Sequence, residues 1–85
     1  MKIKNGYSII QQNDGYIVCF NNVPLKKTIF LNEISAFLWK LLQENNSTTT
    51  QMLDSVLNSY EISTVLALGE IDTFIKLLKE NGIIE

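Results

Sequence analysis

Arginine and histidine are absent from this 85-residue sequence, which also has a single cysteine and a single proline. Nucleophilic catalysis pairs its nucleophile with a base that is most often histidine, and Cys19 has no such partner. Zinc sites need clusters of cysteine and histidine at short spacing, and none is present. The four glycines are scattered singly, so there is no glycine-rich phosphate loop. We therefore predict no catalytic residue, no metal site and no cofactor.

Long apolar runs are also missing. The first twelve residues, up to Gln12, contain no apolar core of signal-peptide length. No stretch approaches the roughly 18 consecutive apolar residues of a membrane span. Cys19 cannot form an intramolecular disulfide, and its place in an apolar strand suits a small buried core residue. These absences predict a cytoplasmic protein.

The composition fits one small globular domain over residues 1–85, because 46% of the residues are hydrophobic and 19% are charged. The charges are unevenly distributed along the chain. Residues 1–46 carry five lysines against three acidic residues, whereas residues 47–85 carry two lysines against six acidic residues. The second half is therefore acidic.

The first third of the sequence has the aromatic and β-branched residues typical of strands. Tyr7–Gln11 and Tyr16–Phe20 form a predicted hairpin whose turn contains Asp14-Gly15, two residue types that tolerate a positive φ. A loop at Asn21–Pro24 follows. The predicted third strand is Lys26–Leu31, which continues directly into a helix.

The remaining sequence predicts three helices, the last of which stops at Asn81-Gly82 because glycine readily adopts the left-handed conformation. The predicted N-caps are Asn32 for the first helix, Thr48 for the second, and Ser63 or Thr64 for the third. Each helix has one apolar stripe at helical spacing. The stripes are Ile34, Phe37, Leu38, Leu41 and Leu42; then Met52, Leu53, Val56, Leu57 and Tyr60; and finally Ala67, Leu68, Ile71, Phe74, Ile75 and Leu78.

This order of elements predicts an α+β domain, in which three N-terminal antiparallel strands are followed by three helices in a winged-helix-like arrangement. Winged helices often bind DNA by neutralising phosphates with basic residues and reading guanine with arginine. Here the second helix carries Asp54 and no basic residue, and an acidic half is repelled by a polyanion. A winged-helix DNA-binding transcription regulator is therefore kept only as the alternative function. A structural adaptor is the third possibility.

An ordered set of residues runs from the third predicted strand to the C-terminus. The set comprises Phe30-Leu31-Asn32, Trp39, Thr48-Thr49-Thr50, Tyr60, Ile71-Asp72, Phe74-Ile75, Leu78 and Gly82-Ile83-Ile84. It resembles the PqqD-like family of peptide chaperones, the leader-peptide recognition elements of ribosomally made natural products. Within the set, Leu31, Trp39, Phe74, Leu78 and Gly82 are predicted to be mainly structural.

The resemblance implies a non-catalytic domain that binds the leader of a precursor peptide and presents it to a modifying enzyme or leader peptidase. The leader would pair as an added strand with the third strand and lie in a groove against the third helix. In this sequence that groove lies between Lys26–Leu31 and the helix from about Ser63 to Asn81. The candidate peptide-binding residues are Lys26, Lys27, Thr28, Ile29, Phe30, Leu66, Glu70, Thr73 and Leu77.

The residues themselves leave two interpretations of this surface open. At about 100° per residue, Leu66, Thr73 and Leu77 fall on a second edge of the third helix, with Glu70 among them. This edge either receives peptide side chains or consists of ordinary residues that are partly exposed or that cover Trp39. The lysines of the third strand either discourage aggregation at a sheet edge or attract acidic peptide residues.

Overall fold

In the computed structural model, which describes residues 1–85, four short strands precede three helices. The strands are β1 (Tyr7–Gln12), β2 (Gly15–Phe20), β3 (Val23–Pro24) and β4 (Phe30–Leu31), and the helices are α1 (Glu33–Glu44), α2 (Thr49–Ser59) and α3 (Thr64–Glu80). All strand pairs are antiparallel, with β1 on one side of β2 and both β3 and β4 on the other. The predicted α+β class is confirmed.

The first hairpin turns one residue earlier than the sequence predicts. Gln12 pairs with Gly15, so the two turn residues are Asn13 and Asp14. The positive φ belongs to Asn13, at +55°, and not to the Asp14-Gly15 pair. Asparagine is one of the residue types that adopt this conformation readily, because its short polar side chain can hydrogen-bond locally.

The predicted third strand, Lys26–Leu31, is wrong in its extent, because only Phe30–Leu31 is strand. Val23–Pro24, predicted as loop, forms β3 after a tight turn in which Asn21 and Asn22 both have positive φ. Between β3 and β4 the residues 25–29 all face one residue of β2, Val18. A ladder cannot accommodate so many residues opposite one, so the segment bulges out of the sheet.

Helix boundaries follow the predicted caps. The side chains of Asn32, Thr48 and Ser63 each accept a hydrogen bond from the backbone N–H three residues later. The helix α3 ends in a Schellman motif, in which the N–H of Ile83 donates to the carbonyl of Leu78 and Gly82 has a φ of +67°. The start of α3 is therefore fixed by Ser63.

The core lies between one face of the sheet and the three helices. Its largest fully buried side chains include Trp39, Leu38, Phe74 and Met52. Ile83 and Ile84 close the core, as predicted, and Ile84 bridges to Ile3. Leu68 departs from the predicted stripe, since it is 43% exposed. No helix is long and apolar enough to cross a membrane.

Candidate functional site

A shallow groove of about 400 Å³ separates the end of β4 from the first half of α3. Its lining residues are Asn32, Val65, Leu66, Gly69, Glu70 and Thr73. Two larger hollows lie elsewhere, against the end of α1, and polar residues line most of both. The groove is the hollow that coincides with the site predicted between the third strand and the third helix.

The edge of β4 beside this groove has free backbone groups. Ile29 accepts a hydrogen bond from the N–H of Val18, at 3.2 Å, and Phe30 is paired in register with Ile17. Because bonds in an antiparallel ladder alternate, Leu31 faces β2, and the N–H and carbonyl of Phe30 point to the open side. The N–H of Asn32 also makes no hydrogen bond within the domain. The edge therefore offers donors and an acceptor for another strand.

Side chains around β4 alternate between two faces of the sheet. Ile29 and Leu31 are buried against the helices, whereas Phe30 is 74% exposed on the opposite, outer face. On that face Phe30 lies opposite Ile17, which in turn lies opposite Ile10. An apolar row thus crosses the outer face of the sheet and ends at the open edge.

The predicted site residues that precede Phe30 lie in the bulged segment. Lys26, Lys27 and Thr28 are exposed, while the side chain of Ile29 is part of the core. The N–H groups of these four residues donate no backbone hydrogen bond within the domain. The segment is therefore free to offer backbone groups to a ligand, although it is not a strand.

On the helical wall of the groove, the structure brings together three of the four predicted residues. Leu66, Glu70 and Thr73 line the groove, and Leu66 is 62% exposed. Leu77 does not line it, because its half-buried side chain packs against the core. Packing against the core therefore explains why position 77 is a leucine, without a role in peptide binding.

The sequence prediction missed three lining residues, namely Asn32, Val65 and Gly69. Val65 is 79% exposed and lies one helical turn before Gly69, so it extends the same apolar wall. Its exposure follows from its position in the first turn of α3, where no element of the domain covers it. The helical period did contain this signal, since Val65, Gly69 and Thr73 recur at intervals of four residues.

A polar contact joins the two sides of the groove. The side-chain amide of Asn32 donates to Glu70 Oε2 at 3.4 Å, and Asn32 Oδ1 accepts from the N–H of Ser35. Asn32 therefore caps α1 and contacts α3 at the same time. This arrangement orients the half-buried carboxylate of Glu70 at the groove.

The phenol of Tyr60 lies near Glu33 in the first turn of α1. Burial raises the pKa of Tyr60 above its ordinary value, and the nearby Glu33 and Tyr16 raise it further. No group of three or more His, Cys, Asp or Glu side chains is placed to hold a metal ion. The arrangement as a whole suits the binding of an extended backbone.

The chain is similar to a known protein family in sequence and to a solved structure in fold. The sequence profile of the family described as Coenzyme PQQ synthesis protein D (PqqD) matches residues 22–84. A search among curated proteins gives no match. The fold is similar to a solved structure described as TbiB1 in complex with the TbiA(beta) leader peptide, with a TM-score of 0.74 and 16% sequence identity. The similarity covers 100% of this chain and 95% of the other.

Proposed function

The chain belongs to the PqqD family, as its sequence pattern predicted, and from this premise we propose that it binds the leader segment of a ribosomally made precursor peptide. The leader pairs with the open edge of β4 as an added strand and lies against α3. The bound leader is then presented to a modifying enzyme or leader peptidase. The observation that carries the proposal is the open edge at Phe30, whose free backbone groups adjoin an exposed apolar wall on α3.

The geometry of strand addition assigns the leader side chains to two faces. The leader residue directly opposite Phe30 points to the outer face, where it extends the row of Ile10, Ile17 and Phe30. The residues on either side of it point towards α3, because side chains alternate along a strand. A leader that fits this site therefore has apolar residues at alternate positions facing the groove.

The bulged segment supplies positive charges that attract acidic residues of the leader. Lys26 and Lys27 are exposed and face no acidic side chain in an ion pair, whereas the ion pair of Lys76 with Asp72 lies within α3. Opposite charges raise the rate of association more than they raise affinity. We therefore expect acidic leader residues near Lys26 and Lys27, and slower association at high salt.

The proposal describes a binding domain without catalysis, which spans residues 1–85 and needs neither metal nor cofactor. Every catalytic constellation requires convergent groups such as a nucleophile with its base, and the sequence has no histidine to act as that base. The lone buried Cys19 suits a reducing compartment, so we place the protein in the cytoplasm.

The experiment measures the affinity of the domain for synthetic leader segments of the short peptides encoded beside its gene. We expect a dissociation constant of about 1 μM or tighter, which corresponds to about −8 kcal/mol. Leu66→Asp is expected to weaken this binding about tenfold or more, because it places a carboxylate in the apolar wall beside Glu70.

Leu68→Asp is the matched control for this substitution. Leu68 lies on the same helix, is also exposed and does not line the groove. Both variants should remain folded, since both residues are exposed. Equal losses of affinity in the two variants would place the leader somewhere other than the groove.

A further inference from the structure

Gly69 lies inside α3, a helix of 17 residues, where glycine is unfavourable. The fold does not require it. Its φ is not among the positive values, and a Cβ added there would meet no atom within 4 Å. Alanine would therefore fit the free domain and favour the helix. The glycine needs another explanation.

The surroundings of Gly69 supply one. Val65 and Thr73 lie one turn before and one turn after it on the same side of the helix, and Leu66 and Glu70 flank it. The missing side chain leaves a notch in the wall, open to the groove and bordered on one side by the exposed Val65 and Leu66. Such a notch accepts a projecting side chain, as a hole between helical residues accepts a knob.

We propose that Gly69 determines the size of one leader residue, which inserts a large apolar side chain into this notch. This inference rests on the proposed function and deepens it. The inserting residue is adjacent to the leader residue opposite Phe30, because that neighbour points towards α3. Val65 and Leu66 favour an apolar residue, and the absence of a side chain at position 69 favours a large one.

The test selects peptides from a random library displayed on phage, using the wild-type domain, Gly69→Ala, Gly69→Leu and Lys79→Leu. The wild type should enrich sequences with a large apolar residue at one position of an alternating pattern. The peptides selected by Gly69→Leu should have glycine, alanine or serine at that position in place of the large residue, or their enrichment should fall tenfold or more. Gly69→Ala should raise the urea midpoint of unfolding and shift the preference less far.

Lys79→Leu, together with Leu66→Asp as a further variant in the selection, separates the possible failures. Lys79→Leu adds the same side chain to α3 outside the groove and should select the wild-type sequences. Suppose that the wild type enriches peptides whose binding is lost in Leu66→Asp, and that Gly69→Leu still selects the same large residue. The proposed role of Gly69 is then refuted, while leader binding in the groove remains supported. Failure of the wild type to enrich any sequence, or enrichment that Leu66→Asp leaves unchanged, contradicts the proposed function itself.

Discussion

Replacing Phe30 with proline is expected to weaken leader binding tenfold or more while leaving the domain folded. The N–H of Phe30 points away from β2, so proline removes a donor that the fold does not use. The leader loses that hydrogen bond, and the proline ring occupies the space in which the added strand must lie. A tenfold loss corresponds to about 1.4 kcal/mol, which a hydrogen bond and a steric clash together readily reach.

Two controls separate the backbone from the side chain. Phe30→Ala keeps the N–H and removes only the exposed ring, so it should bind more tightly than Phe30→Pro. Leu31→Pro removes an N–H that faces β2 and replaces a buried side chain, so it should destabilise the domain instead. Urea unfolding and calorimetric titration distinguish these outcomes. A folded Phe30→Pro variant that binds at full strength would exclude strand addition at β4.

Replacing Trp39 with alanine is expected to lower the unfolding free energy by about 3–5 kcal/mol, because it empties the largest fully buried side-chain site. A chain of this length has a total stability of roughly 4–13 kcal/mol at 0.05–0.15 kcal/mol per residue. The variant should therefore be unfolded if the total stability lies at the low end of this range, and should unfold at a much lower urea concentration if it lies at the high end. Circular dichroism in urea measures the change, since the only tryptophan is lost.

Trp39→Phe is the informative companion to that variant. The indole Nε1 of Trp39 is buried without a hydrogen-bond partner, and an unsatisfied buried donor is unfavourable by about 1–3 kcal/mol. Phenylalanine removes this donor and still fills most of the volume, so its loss of stability should be clearly smaller than that of alanine. Equal losses for both variants would mean that the indole ring itself, and not the filling of the site, stabilises the core.

Helices were more predictable than strands in this chain, and the reason is local. The caps at Asn32, Thr48 and Ser63 depend on one side chain and a backbone group three residues away, which the sequence displays directly. The third strand depends instead on register. Nothing in Leu25–Ile29 reveals that these residues must all face Val18, because that constraint arises from the pairings on either side of them.

The residues that identify the family are mostly not those that form the site. Leu31, Trp39, Phe74 and Leu78 are buried, and Gly82 ends α3 with a positive φ, so each serves the fold as predicted. Their pattern was readable because core positions repeat with the period of the helix.

The groove was harder to read from the sequence. Leu66 and Leu77 look equivalent on the third helix, yet the first lines the groove and the second packs against the core. The difference depends on which neighbouring elements cover each turn. Gly69 recurs with Val65 and Thr73 at intervals of four residues, but a solitary glycine in a helix acquires meaning only when the space around it is known.

The most direct test of the central claim is an amide titration of the isotope-labelled domain with the leader segment, followed by NMR. Strand addition predicts shifts at Phe30, Asn32 and the groove residues of α3, together with slower hydrogen exchange of the Phe30 N–H as the leader carbonyl accepts its hydrogen bond. The helix α2, which contributes no residue to the groove, should change little. Shifts confined to α2, with unchanged exchange at Phe30, would contradict the account.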